Sequence, residues 1–218
     1  TNKPKDNNRN GSTVTNQPPT QPTPNILSCA LNLAQHDLPV IPIRPKQKHP
    51  PMAAWQHAAT THAGTITNWY TGLYRNHGIG IATGHPHKQP DRYLFDSDAV
   101  VAVDIDEHNP ETSGSDTLHE LCQTYGSLPT TVEAHTGSGG RHLYFTSPEP
   151  VRNDAGKKLG AGIDIRGEGG QVLAPPTLHP NGNPYTWDTE NHPDTTPIAH
   201  APDWLIALLA DRNTTPSH

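Results

Sequence analysis

An α+β domain with a mixed sheet is the fold that the 218-residue sequence predicts, and three features predict it. The run Ala99-Val100-Val101-Ala102-Val103-Asp104-Ile105-Asp106 is continuous and rich in β-branched residues, as in a central strand buried on both faces. Ile26, Leu27, Ala30, Leu31 and Ala34 recur at helical spacing. Helical and extended segments then interleave without the strict alternation of a parallel α/β sheet.

Taken in order, residues 1–24 are mostly Thr, Asn, Pro, Gln and Lys with almost nothing to bury, and are expected to form a disordered leader. A folded domain is expected over 25–212, followed by a polar tail at 213–218. The first helix starts near Pro24 or Asn25. Pro39 to Arg44 reads as a strand whose prolines confine it to a sheet edge. Residues 45–63 read as loop and Thr65 to Tyr74 as a second helix. Gly78 to Ala82 is a strand ended by Thr83-Gly84, and 85–98 is a polar loop. After the central strand, Ser115 to Tyr125 reads as a helix. Thr130 to Thr136 and Arg141 to Thr146 are two strands joined by Gly137-Ser138-Gly139-Gly140. Residues 163–166 and 171–174 read as a hairpin around Gly167-Glu168-Gly169-Gly170. Tyr185 to Trp187 adds a short strand, and Pro202 to Asp211 a closing helix. No internal repeat is present.

Composition bounds the function. A net charge of −6 and a pI near 6.2 argue against a protein whose main task is coating nucleic acid. They leave room for an enzyme that concentrates carboxylates at one site. Only 31% of residues are hydrophobic, with 24 prolines and 18 glycines, so the packed part is smaller than the chain. Cys29 and Cys122 form no CxxC pair, so no zinc is expected. A reduced cytoplasmic setting fits them better than a disulfide. No apolar run is long enough to span a membrane.

Three motifs carry chemistry. Asp104 and Asp106 flank Ile105 at the end of the central strand, so alternation aims both carboxylates at one face. They either bind a divalent cation or mark a strand running out into solvent. Asp164, in Gly162-Ile163-Asp164-Ile165-Arg166-Gly167, is followed by Arg166 on the same face. It is either a third metal ligand beside a phosphate-binding arginine or half of a surface ion pair. The Gly137–Gly140 segment is either a hairpin turn or an anion nest of backbone N–H groups. In the second case Ser138 and His142 offer further donors. No Walker lysine motif accompanies it. Together the three pieces point to phosphoryl chemistry with divalent metal.

At these residues the chain resembles the bifunctional DNA primase–polymerase domain of the archaeo-eukaryotic primase superfamily, found at the N-terminus of phage and plasmid replication proteins. The resemblance runs over roughly residues 25–190. It includes the Pro39-Val40-Ile41-Pro42 strand, Lys48 to Trp55, Asn76 to Gly84, Val103 to Asp106 and Leu128-Pro129-Thr130. It continues through Ser138 to Phe145, Gly162 to Gly167 and Ala174 to Thr177.

That resemblance implies a catalytic half with an RNA-recognition-like mixed sheet, a smaller α/β half, and a cleft between them. It implies Asp104, Asp106 and Asp164 as catalytic metal ligands for Mg²⁺ or Mn²⁺. Ser138, Gly139, Gly140, Arg141, His142 and Arg166 would hold the nucleotide. The implied activity is template-directed addition of NTP or dNTP units on a single-stranded DNA template and primer. The implied setting is phage or plasmid replication in a bacterial or archaeal cytoplasm, with a helicase domain in the full-length protein. Two other readings use the same residues: a metal-dependent nuclease or phosphohydrolase, and a non-catalytic nucleotide- or DNA-binding module of a replisome.

Overall fold

The computed structural model describes residues 25–85, 98–107 and 113–210. The expected leader at 1–24, the tail at 213–218 and most of the polar loop at 85–98 lie outside them. In chain order the elements are α1 (Ile26–Gln35), β1 (Val40–Ile43), α2 (Trp55–Ala58), α3 (Ala63–Thr71), β2 (Gly78–Ala82), β3 (Ala99–Ile105) and α4 (Gly114–Tyr125). Then follow β4 (Glu133–His135), β5 (Arg141–Ser147), β6 (Asp154–Ala155), β7 (Ile163–Arg166), β8 (Gln171–Ala174), β9 (Thr186–Trp187), β10 (Ala199–His200) and α5 (Asp203–Leu209). The fold is α+β, as the sequence predicts.

Two unequal sheets organise it. The smaller has the antiparallel order β1-β2-β8, with proline-bearing β1 at its edge. The larger runs β6-β7-β3-β5-β4-β9, with β10 added parallel to β5, so it is mixed. β3 lies between β7 and β5 and is buried on both faces. Val100 and Ala102 pack into a core between the sheets with Ile79, Ile81, Val172 and Ala174, closed by Leu33 of α1 and Ile66 of α3. Val101, Val103 and Ile105 face the opposite way, onto Phe145, Ile165, Leu205 and Leu209. A third cluster, Ile41, Ile43, Leu173 and Tyr185, lies on the other face of the small sheet.

Local chemistry sets the helix ends. The Asn25 side chain accepts the Leu27 N–H and starts α1. Ser113 does the same for α4 through Asp116 N–H. Within the stretch read as loop, Trp55–Ala58 forms a short helix because Trp55 is drawn onto the small sheet.

One expectation is overturned. Residues 163–166 and 171–174 do not form a hairpin. β7 pairs with β3 and β6, whereas β8 pairs with β2 in the other sheet. The glycines between them make a crossing. Gly167 lies so close to the Val151 carbonyl that a side chain would not fit. The Gly170 carbonyl accepts the Thr83 N–H at 2.9 Å, which delivers the chain to β2. The strand read over 130–136 is also shorter, and the two-residue strands β6 and β10 exist through pairing alone.

Candidate metal and nucleotide site

The site is a row of cross-strand neighbours. Asp104 on β3 stands opposite Asp164 on β7 and opposite His142 on β5. Residues in register share a face. The three polar side chains therefore emerge together, at the margin of the core between the sheets. Asp106 follows the end of β3. Its backbone is fixed from two sides: its N–H donates to the Gly162 carbonyl at 2.8 Å, and its carbonyl accepts from Gly114 N–H at 3.0 Å. Gly162 has φ +77 and lies against Gly114, so neither position has room for a side chain. The result is that one carboxylate oxygen from each of Asp104, Asp106 and Asp164 lies within 4.8 Å of the others.

Cations surround these acids. The Arg166 Nη2 lies 2.8 Å from Asp164 and 3.7 Å from Asp104. The His142 Nε2 lies 3.3 Å from the Asp104 Oδ1, while its Nδ1 is buried without a partner among the described residues. The two facing aspartates are displaced in opposite directions. Burial pushes the Asp104 carboxyl up, but the His142 hydrogen bond and charge, with Arg166 and Lys48, outweigh it and hold it below the ordinary range. Burial pushes the Asp164 carboxyl up too. Asp104, Asp106 and Asp154 add to that, and Arg166 only partly offsets it. A set of three close carboxylate oxygens, one of them reluctant to ionise, suits a hard divalent cation.

The glycine turn borders this row. Gly140 packs against the Ile105 carbonyl with no space for a Cβ. Its N–H donates to Thr136 Oγ1 at 2.9 Å, and Ser138 Oγ lies 3.1 Å from the same oxygen. Gly139 has φ +96 and open space beside it. Gly140 thus stands against the backbone between Asp104 and Asp106, with Ser138 and Gly139 in the same turn. Arg141 does not join them. Alternation turns it to the other face, where it pairs with Glu133 at 3.2 Å and reaches Ser115 Oγ at 3.4 Å.

Two residues near the row are not among the site residues that the sequence predicts. The Tyr185 ring lies 5.7 Å from that of His142. Burial, with Asp104 and Asp106 nearby, pushes its hydroxyl up. Lys48 comes from the loop after β1, and its carbonyl accepts Gln171 Nε2 at 2.8 Å. Tyr185 carries no local motif, and Lys48, though in the Lys48–Trp55 stretch, has nothing local that marks it as a site residue; both reach the site through the packing of the small sheet.

An acidic triad that could hold a divalent metal, with histidine and arginine beside it, is what the fold sets at this margin of the core. The chain belongs to the bifunctional DNA primase/polymerase N-terminal domain family, whose profile matches residues 30–204. Membership assigns it primase/polymerase function in replication, with DNA and nucleotides as binding partners. No curated protein matches the chain. No helix among the described residues is long and apolar enough to cross a membrane.

Proposed function

We propose that the chain catalyses template-directed nucleotidyl transfer, joining NTP or dNTP units on single-stranded DNA in the replication of a phage or plasmid. The full-length protein would carry a helicase domain and work in the cytoplasm of a bacterial or archaeal cell. The observation that carries this reading is the cross-strand row Asp164–Asp104–His142 with Asp106 beside it. Asp104, Asp106 and Asp164 would hold the metal. Mg²⁺ or Mn²⁺ there supplies charge neutralisation for a triphosphate and acidifies a 3′-hydroxyl. His142, with Nε2 given to Asp104, has Nδ1 left to meet a phosphate oxygen. Arg166 holds Asp164 in place and adds positive charge beside the phosphates. The Ser138–Gly140 turn offers backbone and hydroxyl donors to the same anion.

The test is a labelled primer–template incubated with Mg²⁺ or Mn²⁺, with and without dNTPs. Elongation that requires dNTPs supports the reading. Shortening of the oligonucleotide regardless of dNTPs would make the protein a nuclease. Asp104→Ala or Asp106→Ala should lower incorporation by more than the roughly 10–100-fold typical of residues that only support a metal ligand, with the fold retained, although Asp104→Ala also gives up the stability that Asp104 adds beside His142 and Arg166.

A further inference from the structure

Two asparagines outside the row grip the glycine turn. The Gly137 carbonyl accepts Asn181 Nδ2 at 2.8 Å and Asn183 Nδ2 at 3.0 Å. Both lone pairs of one carbonyl oxygen are thereby occupied by side-chain amides. The loop that supplies them, between β8 and β9, is rigidly built. His179 N–H donates to the Asn183 carbonyl at 2.8 Å, and Gly182 N–H to the His179 carbonyl at 2.8 Å. Asn183 N–H donates to Asn181 Oδ1 at 3.0 Å, which orients the Asn181 amide with Nδ2 toward Gly137. The loop also carries Tyr185, whose ring lies tilted against that of His142. Gly137 lies so tightly against His179 and the Asn183 backbone that a side chain there would force the two loops apart.

A peptide unit is planar and trans, so the carbonyl of Gly137 and the N–H of Ser138 point in opposite directions. Drawing the carbonyl onto Asn181 and Asn183 turns the Ser138 N–H away from them. The Gly139 and Gly140 N–H groups are already used by Thr136. Those of Gly137 and Ser138 have no hydrogen-bond partner among the described residues. Glycine at 137 leaves this peptide free to rotate. A flip would present a carbonyl oxygen, in place of an N–H, to any anion held there.

We infer that Asn181 and Asn183 are positioning residues that fix the Gly137–Ser138 peptide so that the Ser138 N–H meets the nucleotide triphosphate. The inference rests on the reading of this site as a nucleotide site. It gives the loop between β8 and β9 a role in binding phosphates without touching them. Each asparagine contributes through one hydrogen bond, and the pair keeps the turn in one of its two peptide orientations.

The experiment compares wild type, Asn181→Ala, Asn183→Ala and the double variant. Calorimetry measures binding of a non-hydrolysable dNTP analogue and of the matching nucleoside monophosphate, both with Mg²⁺. Each single change should weaken the triphosphate analogue by about three- to tenfold, and the double change by more. The monophosphate should lose less, and KM should rise more than kcat falls. Pyrophosphate titration should shift the Ser138 amide proton resonance in wild type and much less in the double variant. A loss equal for both nucleotides, tracking the thermal melt, would reduce the asparagines to structural residues and overturn the inference. So would unchanged triphosphate affinity in the double variant. If wild type itself shows no metal-dependent triphosphate binding, the nucleotide reading fails first, and that outcome is separate from either of the others.

Discussion

Asp104 and Asp164 face each other across β3 and β7 with the same charge and opposite displacements of pKa. The difference lies in their partners, and it sets the sign of two predictions. Asp104 is held low, so it adds stability above its unfolded value, and that stability is lost as pH falls through the folded value. His142→Ala removes the largest stabilising influence on it and leaves burial to act. The acid limb of incorporation should then move to higher pH, as a pH–rate profile against wild type would reveal; an unmoved limb would separate His142 from Asp104. Asp164 is held high. Its charged form destabilises the metal-free fold, a penalty that is full above the folded value and is lost as pH falls from there to the unfolded value. Asp164→Asn should therefore raise the melting temperature in EDTA at neutral pH. Mn²⁺ should raise the melting temperature of wild type but hardly that of the variant. A variant that melts lower in EDTA would mean that the Arg166 contact outweighs the burial and repulsion.

At the scale of elements, the glycines decide how the acids meet. Gly162 combines φ +77 with close packing on Gly114, directly before Ile163 and Asp164. Gly162→Ala should cost about 1–3 kcal/mol in chemical denaturation and should weaken Mn²⁺ binding as well, because β7 would shift on β3. Ile81→Ala, in the core between the sheets, should cost about 2–5 kcal/mol with Mn²⁺ affinity of the folded protein unchanged. Equal metal affinity in both variants would detach the site from this glycine contact. These elements also show what was legible in the sequence. β3 was, because burial on both faces writes an unbroken apolar run. The Asp104-Ile105-Asp106 alternation was, because a strand's period is two. The separation of β7 from β8 was not. A four-residue glycine-rich link has the composition of a hairpin, and the close approach of Val151 and Thr83 that turns it into a crossing lies far away in the chain. Arg141 adjoins His142 in the sequence, yet the same period of two that aligns the aspartates turns it to the opposite face, toward Glu133 and Ser115. Tyr185 has no local site pattern, and Lys48, though it opens the Lys48–Trp55 stretch, has nothing local that sets it beside Asp104.

Across the whole molecule, charge is unevenly divided. Between residues 25 and 85 the sole acid is Asp37, against Arg44, Lys46, Lys48 and Arg75. All four cations are exposed, and most of the acids lie in the later part of the chain. The antiparallel register of Ile43 with Gly78 sets Arg44 beside His77. Burial and the Arg44 charge hold the His77 ring low. The rings of Trp69, Tyr74 and His77 follow one another at 6.5 and 5.0 Å, next to Leu73, which is 81% exposed. Cations beside half-buried aromatic rings and an exposed leucine suit a single strand, whose phosphates and bases need both. The net charge of −6 keeps such binding weak and local. With three or four phosphates contacted, log K for an oligonucleotide should fall against log salt with a slope of roughly −2 to −3. Arg44→Ala with Arg75→Ala should make that slope shallower by roughly 1 to 1.5. Asp104→Asn, which changes the acidic row, should weaken nucleotide use without flattening the slope. Fluorescence anisotropy across a salt series measures all three. An unchanged slope in the double arginine variant would mean that the DNA runs elsewhere and that the acid-poor surface of the small sheet is merely solvated.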